Sequence, residues 1–181
     1  PILVTGATGG VGCIAISILS KLGFDVTAVS GKADLQSWLK GLGAKHIIGR
    51  DQLPGGDRPL EKAVWGGAVD NVGGAMLARI TRTVVPYGNI ASIGLAGGIA
   101  LETTVMPFIL RGVSLLGCNS VEVPYPLRSQ LWAHLATDWR PEDLEQIVSD
   151  TVDLTSMPEV FERMLSGRIH GRILVEIGAG G

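Results

Sequence analysis

The sequence predicts an α/β fold, a doubly wound parallel sheet with helices on both faces. Three observations carry that prediction. The chain opens on an apolar strand, a glycine-rich turn and an amphipathic helix in immediate succession. Short apolar or β-branched runs then alternate with single helical patterns as far as Asn119. The 26 glycines punctuate these junctions and form no low-complexity tract. Strands separated by single amphipathic helices build right-handed βαβ units, and such units stack into a parallel sheet.

Ile2-Leu3-Val4-Thr5 reads as the first buried strand, and Gly6-Ala7-Thr8-Gly9-Gly10-Val11-Gly12 is the turn after it. The helix that follows places Val11, Ile14, Ala15, Ile18 and Leu22 on one face and ends at Gly23. Residues 25–29 are the second strand. Ser30-Gly31-Lys32 leads into a helix with Leu35, Trp38, Leu39 and Leu42 on one face, stopped by Gly43 as a C-terminal cap. Residues 45–48 are a short third strand, and the polar, Gly- and Pro-rich residues 50–59 are a surface loop. Residues 67–72 form the fourth strand, and a helix over 75–84 buries Met76, Leu77 and Ile80. The fifth strand, 88–93, closes on Gly94-Leu95-Ala96-Gly97-Gly98. Residues 105–111 are helical, and 113–117 form the sixth strand.

Beyond Asn119 the rhythm changes. Helical patterns cover 126–136 and 141–149, followed by Thr151-Val152-Asp153-Leu154. Ser156 and Glu159 have capping-box spacing, Pro158 suits the first turn, and that helix turns Val160, Phe161, Met164 and Leu165 inward. Residues 171–177 are a final strand before a flexible Gly-Ala-Gly-Gly tail. The expected organisation is a nucleotide-binding domain over residues 1–150 and a C-terminal strand–helix–strand segment over 151–181.

Composition narrows the function. With 15 basic and 17 acidic residues the net charge is −2, which argues against nucleic acid or an anionic membrane as partner. Only 18% of residues are charged, against roughly 25% in a usual soluble domain, so part of the surface is expected to be covered. No apolar run is long enough to span a membrane, and, with the chain opening on a core strand, no signal peptide is expected. Cys13 and Cys118 have no metal-ligand spacing and are expected to be small buried hydrophobes. The expected location is the cytoplasm.

Strand, glycine turn and helix in that order open a Rossmann-type dinucleotide-binding fold. Gly6 allows the tight turn, Gly9 lets the backbone approach a pyrophosphate, and Gly12 lets helix and strand pack closely. The spacing is G-x-x-G-x-x-G, a variant of the commoner G-x-G-x-x-G. An NAD site places an acid at the end of the second strand for the ribose 2′-hydroxyl. Here that position is Ser30, with Lys32 two residues on and Arg50 past the third strand, which favours NADP over NAD. The ends of the fourth and fifth strands, at Asn71 and at Gly94 with Leu95, line the cleft near the nicotinamide ribose.

Rival motifs fail. A phosphate-binding loop for ATP needs Gly-Lys-Ser/Thr where this chain has Gly12-Cys13. A short-chain dehydrogenase needs Tyr-x-x-x-Lys, but Tyr87 is followed four on by Ala91 and Tyr125 by Ser129. His46, His134 and His170 have no adjacent ligand pattern and read as surface or packing residues.

Several stretches carry a more specific resemblance: Val4 to Gly12, Ala28 to Lys32, Pro59-Leu60-Glu61-Lys62, Gly94 to Gly98, and Thr103-Thr104-Val105-Met106-Pro107-Phe108-Ile109-Leu110-Arg111. Together they resemble the zinc-free, quinone-oxidoreductase-like branch of the medium-chain dehydrogenase/reductase superfamily, and within it the NADPH-dependent acrylyl-CoA reductases. The similarity runs through nearly the whole chain to the strand opening at Gly171-Arg172. It implies that Thr8, Gly9, Gly10 and Val11 hold the pyrophosphate and that Ser30, Gly31 and Lys32 hold the 2′-phosphate. It also implies that Asn71, Leu95 and Leu115 line the cofactor cleft. Close relatives have arginine where this chain has Lys32, which holds a phosphate as a point charge instead of a fork.

The implied reaction is hydride transfer from NADPH to the β-carbon of an enoyl thioester such as acrylyl-CoA, with a quinone or another conjugated carbonyl as the alternative substrate. A non-catalytic NADPH-binding module is a third reading. Family members carry a GroES-like catalytic domain ahead of the nucleotide-binding domain, and this chain opens at the first Rossmann strand. The acyl-CoA pocket and proton donor are therefore expected outside these residues, with no catalytic side chain and no metal within them. Residues 151–181 are expected to pack near that domain. Members of the branch often pair their sixth strands, so a homodimer through residues 113–118 is expected.

Overall fold

The computed structural model describes residues 1–142 and 144–178. The predicted α/β architecture is present. Among the described residues, β1 (Ile2–Val4), β2 (Val26–Val29), β3 (His46–Ile48), β4 (Trp65–Asp70), β5 (Val84–Ser92) and β6 (Ser114–Gly117) form one sheet in the order β3-β2-β1-β4-β5-β6. Every pairing is parallel. The order reverses beside β1, so the chain runs outward first to one edge and then to the other. This is the topology of a Rossmann domain, and it puts the ligand-binding crevice at the carboxyl ends of β1 and β4.

Period-two alternation divides the core into two layers. Leu3 and Val29 join Leu77, Ile80, Val84 and Ile90 on the face covered by α3 (Gly74–Thr83). Val4 and Ala28 join Cys13, Ile16, Leu39 and Leu42 on the face covered by α1 (Gly12–Lys21) and α2 (Gln36–Gly41). α4 (Met106–Arg111) packs against the first layer through Phe108.

Helix phase departs from the pattern read in the sequence at both ends of the chain. α1 buries Gly12, Cys13, Ile16 and Ser17, while Val11 and Leu22 lie exposed. The cause is Gly12: a Cβ there would overlap the Gly6 carbonyl oxygen, so the glycine face must meet the turn and the branched residues rotate sideways. Ile14 and Ala15 remain half-buried against the second layer. In α7 (Met157–Leu165) only Val160 is buried, whereas Phe161, Met164 and Leu165 are exposed.

The C-terminal region differs in detail as well. α5 (Tyr125–Ala136) starts one residue early and buries nothing. The helix expected over 141–149 contracts to α6 (Leu144–Ile147), with Asp143 outside the described residues, because β7 (Val148–Asp153) begins at once. β7 pairs in parallel with β8 (Arg172–Glu176) in a separate two-stranded sheet. Ser156 does not cap α7 with its side chain. Asp153 Oδ1 accepts instead from the Ser156 amide at 2.9 Å and from the Thr155 hydroxyl at 2.6 Å. A 3-10 turn over Leu154–Ser156 precedes the helix and moves the cap upstream. The expected tail lies, from Ala179 on, outside the described residues. Cys13 is buried as expected but Cys118 is exposed, since it follows the uncovered edge strand β6. No described helix is long and apolar enough to cross a membrane.

Candidate functional site

The carboxyl ends of β1, β2, β4 and β5 converge on one rim. At its centre the glycine turn is built from short-range contacts: the Gly9 amide donates to the Gly6 carbonyl at 2.9 Å, and Gly6 sits at φ +57°. No side chain caps the N-terminus of α1, and its first turn carries no acid. Thr8 and Gly10 are half-buried, and Gly9 and Val11 are exposed. The Gly9 amide is committed to Gly6.

A buried network holds the turn against β4. Thr5 Oγ1 donates to Asp70 Oδ1 at 2.7 Å and accepts from the Asn71 amide at 2.9 Å. Asn71 Nδ2 returns a bond to the Thr5 carbonyl at 2.7 Å, and Asp70 Oδ2 accepts from the Gly73 amide at 2.8 Å. Asn71 Oδ1 is buried at the cleft end of β4 with no partner among the described residues. Such an orphaned acceptor is costly unless a ligand donates to it. The loop after β5 folds back over the same place, with the Gly97 amide on the Val72 carbonyl at 2.7 Å. Leu95 is exposed at the mouth, while Leu115 is half-buried against the first core layer.

The nucleotide edge is divided where the sequence placed its residues together. Ser30, Gly31 and Arg50 line one cavity of about 540 Å³, with Asp51 at its rim. Lys32 lines another, beside Arg168 and His170. Its ammonium donates to the Ile169 carbonyl at 2.6 Å. The Ser30 hydroxyl accepts from the Lys32 amide at 3.0 Å, which leaves its proton for another acceptor.

One residue at this site has only a weak signal in the sequence. The Arg172 guanidinium covers Gly10 so closely that a Cβ on the glycine would collide with it. Arg172 leads β8, over 150 residues away in the chain, and the Gly171 amide bonding to the Thr8 carbonyl at 2.9 Å docks it there. Burial pushes the Cys13 thiol up, and Arg172 acts weakly the other way.

The Pro59 to Lys62 and Thr103 to Arg111 stretches meet at the opposite rim. Arg111 donates to the Glu61 carbonyl at 2.5 Å and to the Arg82 carbonyl at 2.9 Å, and Thr103 and Thr81 share a hydroxyl bond of 2.8 Å. Both stretches tie α4 to the ends of α3 and β5.

Residues 10–137 match the zinc-binding dehydrogenase family. This chain belongs to it, within the medium-chain dehydrogenase/reductase superfamily. Among the described residues, no three His, Cys, Asp or Glu side chains gather as a ligand set. An acrylyl-CoA reductase of Ruegeria pomeroyi is 43% identical over 99% of this chain and 54% of its own length. The yhdH oxidoreductase of Salmonella enterica, solved in complex with NADP, superposes with a TM-score of 0.92 at 43% identity, over 98% of this chain and 54% of that one. The Bacillus subtilis protein YhfP, a putative quinone oxidoreductase, was solved with NAD bound. It superposes with a TM-score of 0.93 at 44% identity, over 97% of this chain and 54% of its own. The chain thus spans about half the length of the medium-chain relatives it matches.

Proposed function

We propose that this chain is the NADPH-binding part of a medium-chain reductase acting on the C=C bond of an enoyl-CoA such as acrylyl-CoA. The observation that carries the cofactor choice is Ser30, a hydroxyl in place of an acid after β2, facing Arg50 across one cavity. Similarity to an acrylyl-CoA reductase and to a structure holding NADP supports the reading. The YhfP structure holds NAD, so the family alone does not select NADP.

Bound NADPH supplies the hydride, which adds at the β-carbon while a proton adds at the α-carbon, leaving a saturated thioester and NADP⁺. The turn from Thr8 to Val11 holds the pyrophosphate, with the Gly9 amide kept on Gly6 and the other N–H groups of the turn facing the ligand, and the Arg172 guanidinium beside Gly10 adds a cation to it. The orphaned Oδ1 of Asn71 accepts from a ribose hydroxyl on the nicotinamide side, with Leu95 and Leu115 along the same cleft. No side chain of this chain is assigned to proton transfer. The acyl-CoA pocket and proton donor belong to the part of the relatives that these residues do not match, and the β7–α7–β8 segment packs toward it. Pairing through β6 makes the protein a homodimer.

The test is a thermal-shift titration with NADPH and NADH in parallel. A ligand at about 100 times its Kd stabilises by roughly 2.7 kcal/mol. The larger shift is expected from NADPH, and equal shifts overturn the choice. NADPH oxidation is then compared with acrylyl-CoA and with a quinone. The quinone reading is kept because the 44% identical relative bears that name. Turnover by these residues alone is expected to be weak or absent. Cofactor binding without turnover by the full-length protein would favour a non-catalytic module.

A further inference from the structure

Residues 169–172 lead into β8, and each is held by a different neighbour. The Ile169 carbonyl accepts from the Lys32 ammonium at 2.6 Å, and the His170 carbonyl accepts from the Ser149 hydroxyl at 2.7 Å. The His170 ring also meets Trp38 edge-on at 4.9 Å, and Trp38 is itself fixed by donating to the Gln146 carbonyl at 2.7 Å. Gly171 sits at φ +58°, and its amide donates to the Thr8 carbonyl at 2.9 Å. Arg172 then lays its guanidinium over Gly10. Of these bonds to residues 169–171, the one from Lys32 is charge-assisted, which makes it roughly twice as strong as a neutral one.

We propose that Lys32 is a positioning residue, whose ammonium fixes residues 169–171 and so sets the Arg172 guanidinium over the glycine turn. Ser30, Gly31 and Arg50 line a cavity whose walls do not include Lys32. Lys32 lines a separate one of about 260 Å³ with Asp34, Arg168 and His170. Burial, and then the Lys32 ammonium, push His170 below its usual range while Asp34 pulls the other way, so the charge of Lys32 is felt at residue 170. The two possible roles of this lysine have different consequences. A lysine on the 2′-phosphate selects NADPH over NADH. A lysine that sets Arg172 acts instead on the pyrophosphate, which both cofactors carry, and leaves the selection to Ser30 and Arg50. This inference rests on the reading of Arg172 as a cation for the pyrophosphate.

Calorimetric titrations with NADPH and NADH test it in four forms of the chain: the parent, Lys32→Met, Arg172→Gln and the double variant. Methionine keeps an apolar stem at this position and removes the donors. Amide exchange without ligand is the second readout. The Gly171 amide and its neighbours over 169–172 should exchange faster in Lys32→Met while β1 and β4 stay protected. Unchanged exchange there overturns the proposal. Arg172→Gln checks the underlying reading, since it should weaken both cofactors. If it weakens neither, the pyrophosphate reading fails by itself, and exchange alone decides whether Lys32 holds the segment. If it weakens both, Lys32→Met is expected to weaken both as well, by the same factor of about tenfold. The double variant should then bind no more weakly than Arg172→Gln alone, because Lys32 acts through Arg172. A loss confined to NADPH, no loss at all, or losses that multiply in the double variant overturn the proposal.

Discussion

Thr5 shows how much one hydroxyl can hold. It donates to the buried Asp70 carboxylate and accepts from Asn71, and so joins the glycine turn to the neighbouring strand. Thr5→Val keeps the shape and removes the donor, leaving a carboxylate oxygen unpaired in the core. The expected cost is about 1–3 kcal/mol in urea unfolding. At the proposed nucleotide edge, Ser30→Asp restores the acid that favours an unphosphorylated ribose. It should reverse the order of NADPH and NADH in a fluorescence titration, and an unchanged order would remove Ser30 from the selection. Single residues were legible where their role is local. Gly6 takes its positive φ and Gly43 its cap as read. The capping box expected at Ser156 and Glu159 is absent because the Asp153 carboxylate, three residues upstream, takes both the Ser156 amide and the Ser156 hydroxyl.

Elements were legible as types and less so as faces. All six strands of the main sheet and the helices between them stand where periodicity placed them, within a residue or a few at the ends. The phases of α1 and α7 did not follow their apolar stripes, because the surface each helix meets decides which residues it buries. This yields a contrast within α7: Val160→Ala should cost on the order of 1–2 kcal/mol, while Leu165→Ser, 90% exposed, should cost little. Comparable losses in chemical denaturation would show that the outer face is covered. The β7–α7–β8 unit should also loosen in acid. Arg163 bonds to Asp150 at 2.9 Å and holds that carboxyl below its ordinary value, and the Thr155 and Ser156 donors do the same for Asp153. A depressed folded pKa means stability present above the unfolded value, about 3.9, and lost as pH falls through the folded one. His170 is also depressed, so its contribution is complete above about 6.5 and fades as pH falls below that. Amide exchange over residues 148–176 should rise in two steps on acidification, while the main sheet holds. A single global transition would argue against separate behaviour.

At the scale of the whole molecule, sheet order leaves β6 at one edge with Leu116 exposed. An uncovered edge strand invites pairing. Light scattering at tens of micromolar should report a dimer, and Leu116→Pro should reduce it to a monomer; a monomeric parent chain overturns the expectation. The same order explains which resemblances point to the crevice. The residues around Gly6 to Gly12, Ser30 and Asn71 lie at strand carboxyl ends, whereas Pro59 to Lys62 and Thr103 to Arg111 brace the other rim. By itself the sequence determined the α/β class, the strand–turn–helix opening and the residue types at the crevice, since those follow from local periodicity and turn chemistry. Tertiary structure alone decided that Lys32 leaves Ser30 for Arg168 and His170, and that Arg172 covers Gly10. Those juxtapositions join residues more than 130 positions apart. They arise from how β8 docks on the glycine turn, which no local pattern encodes.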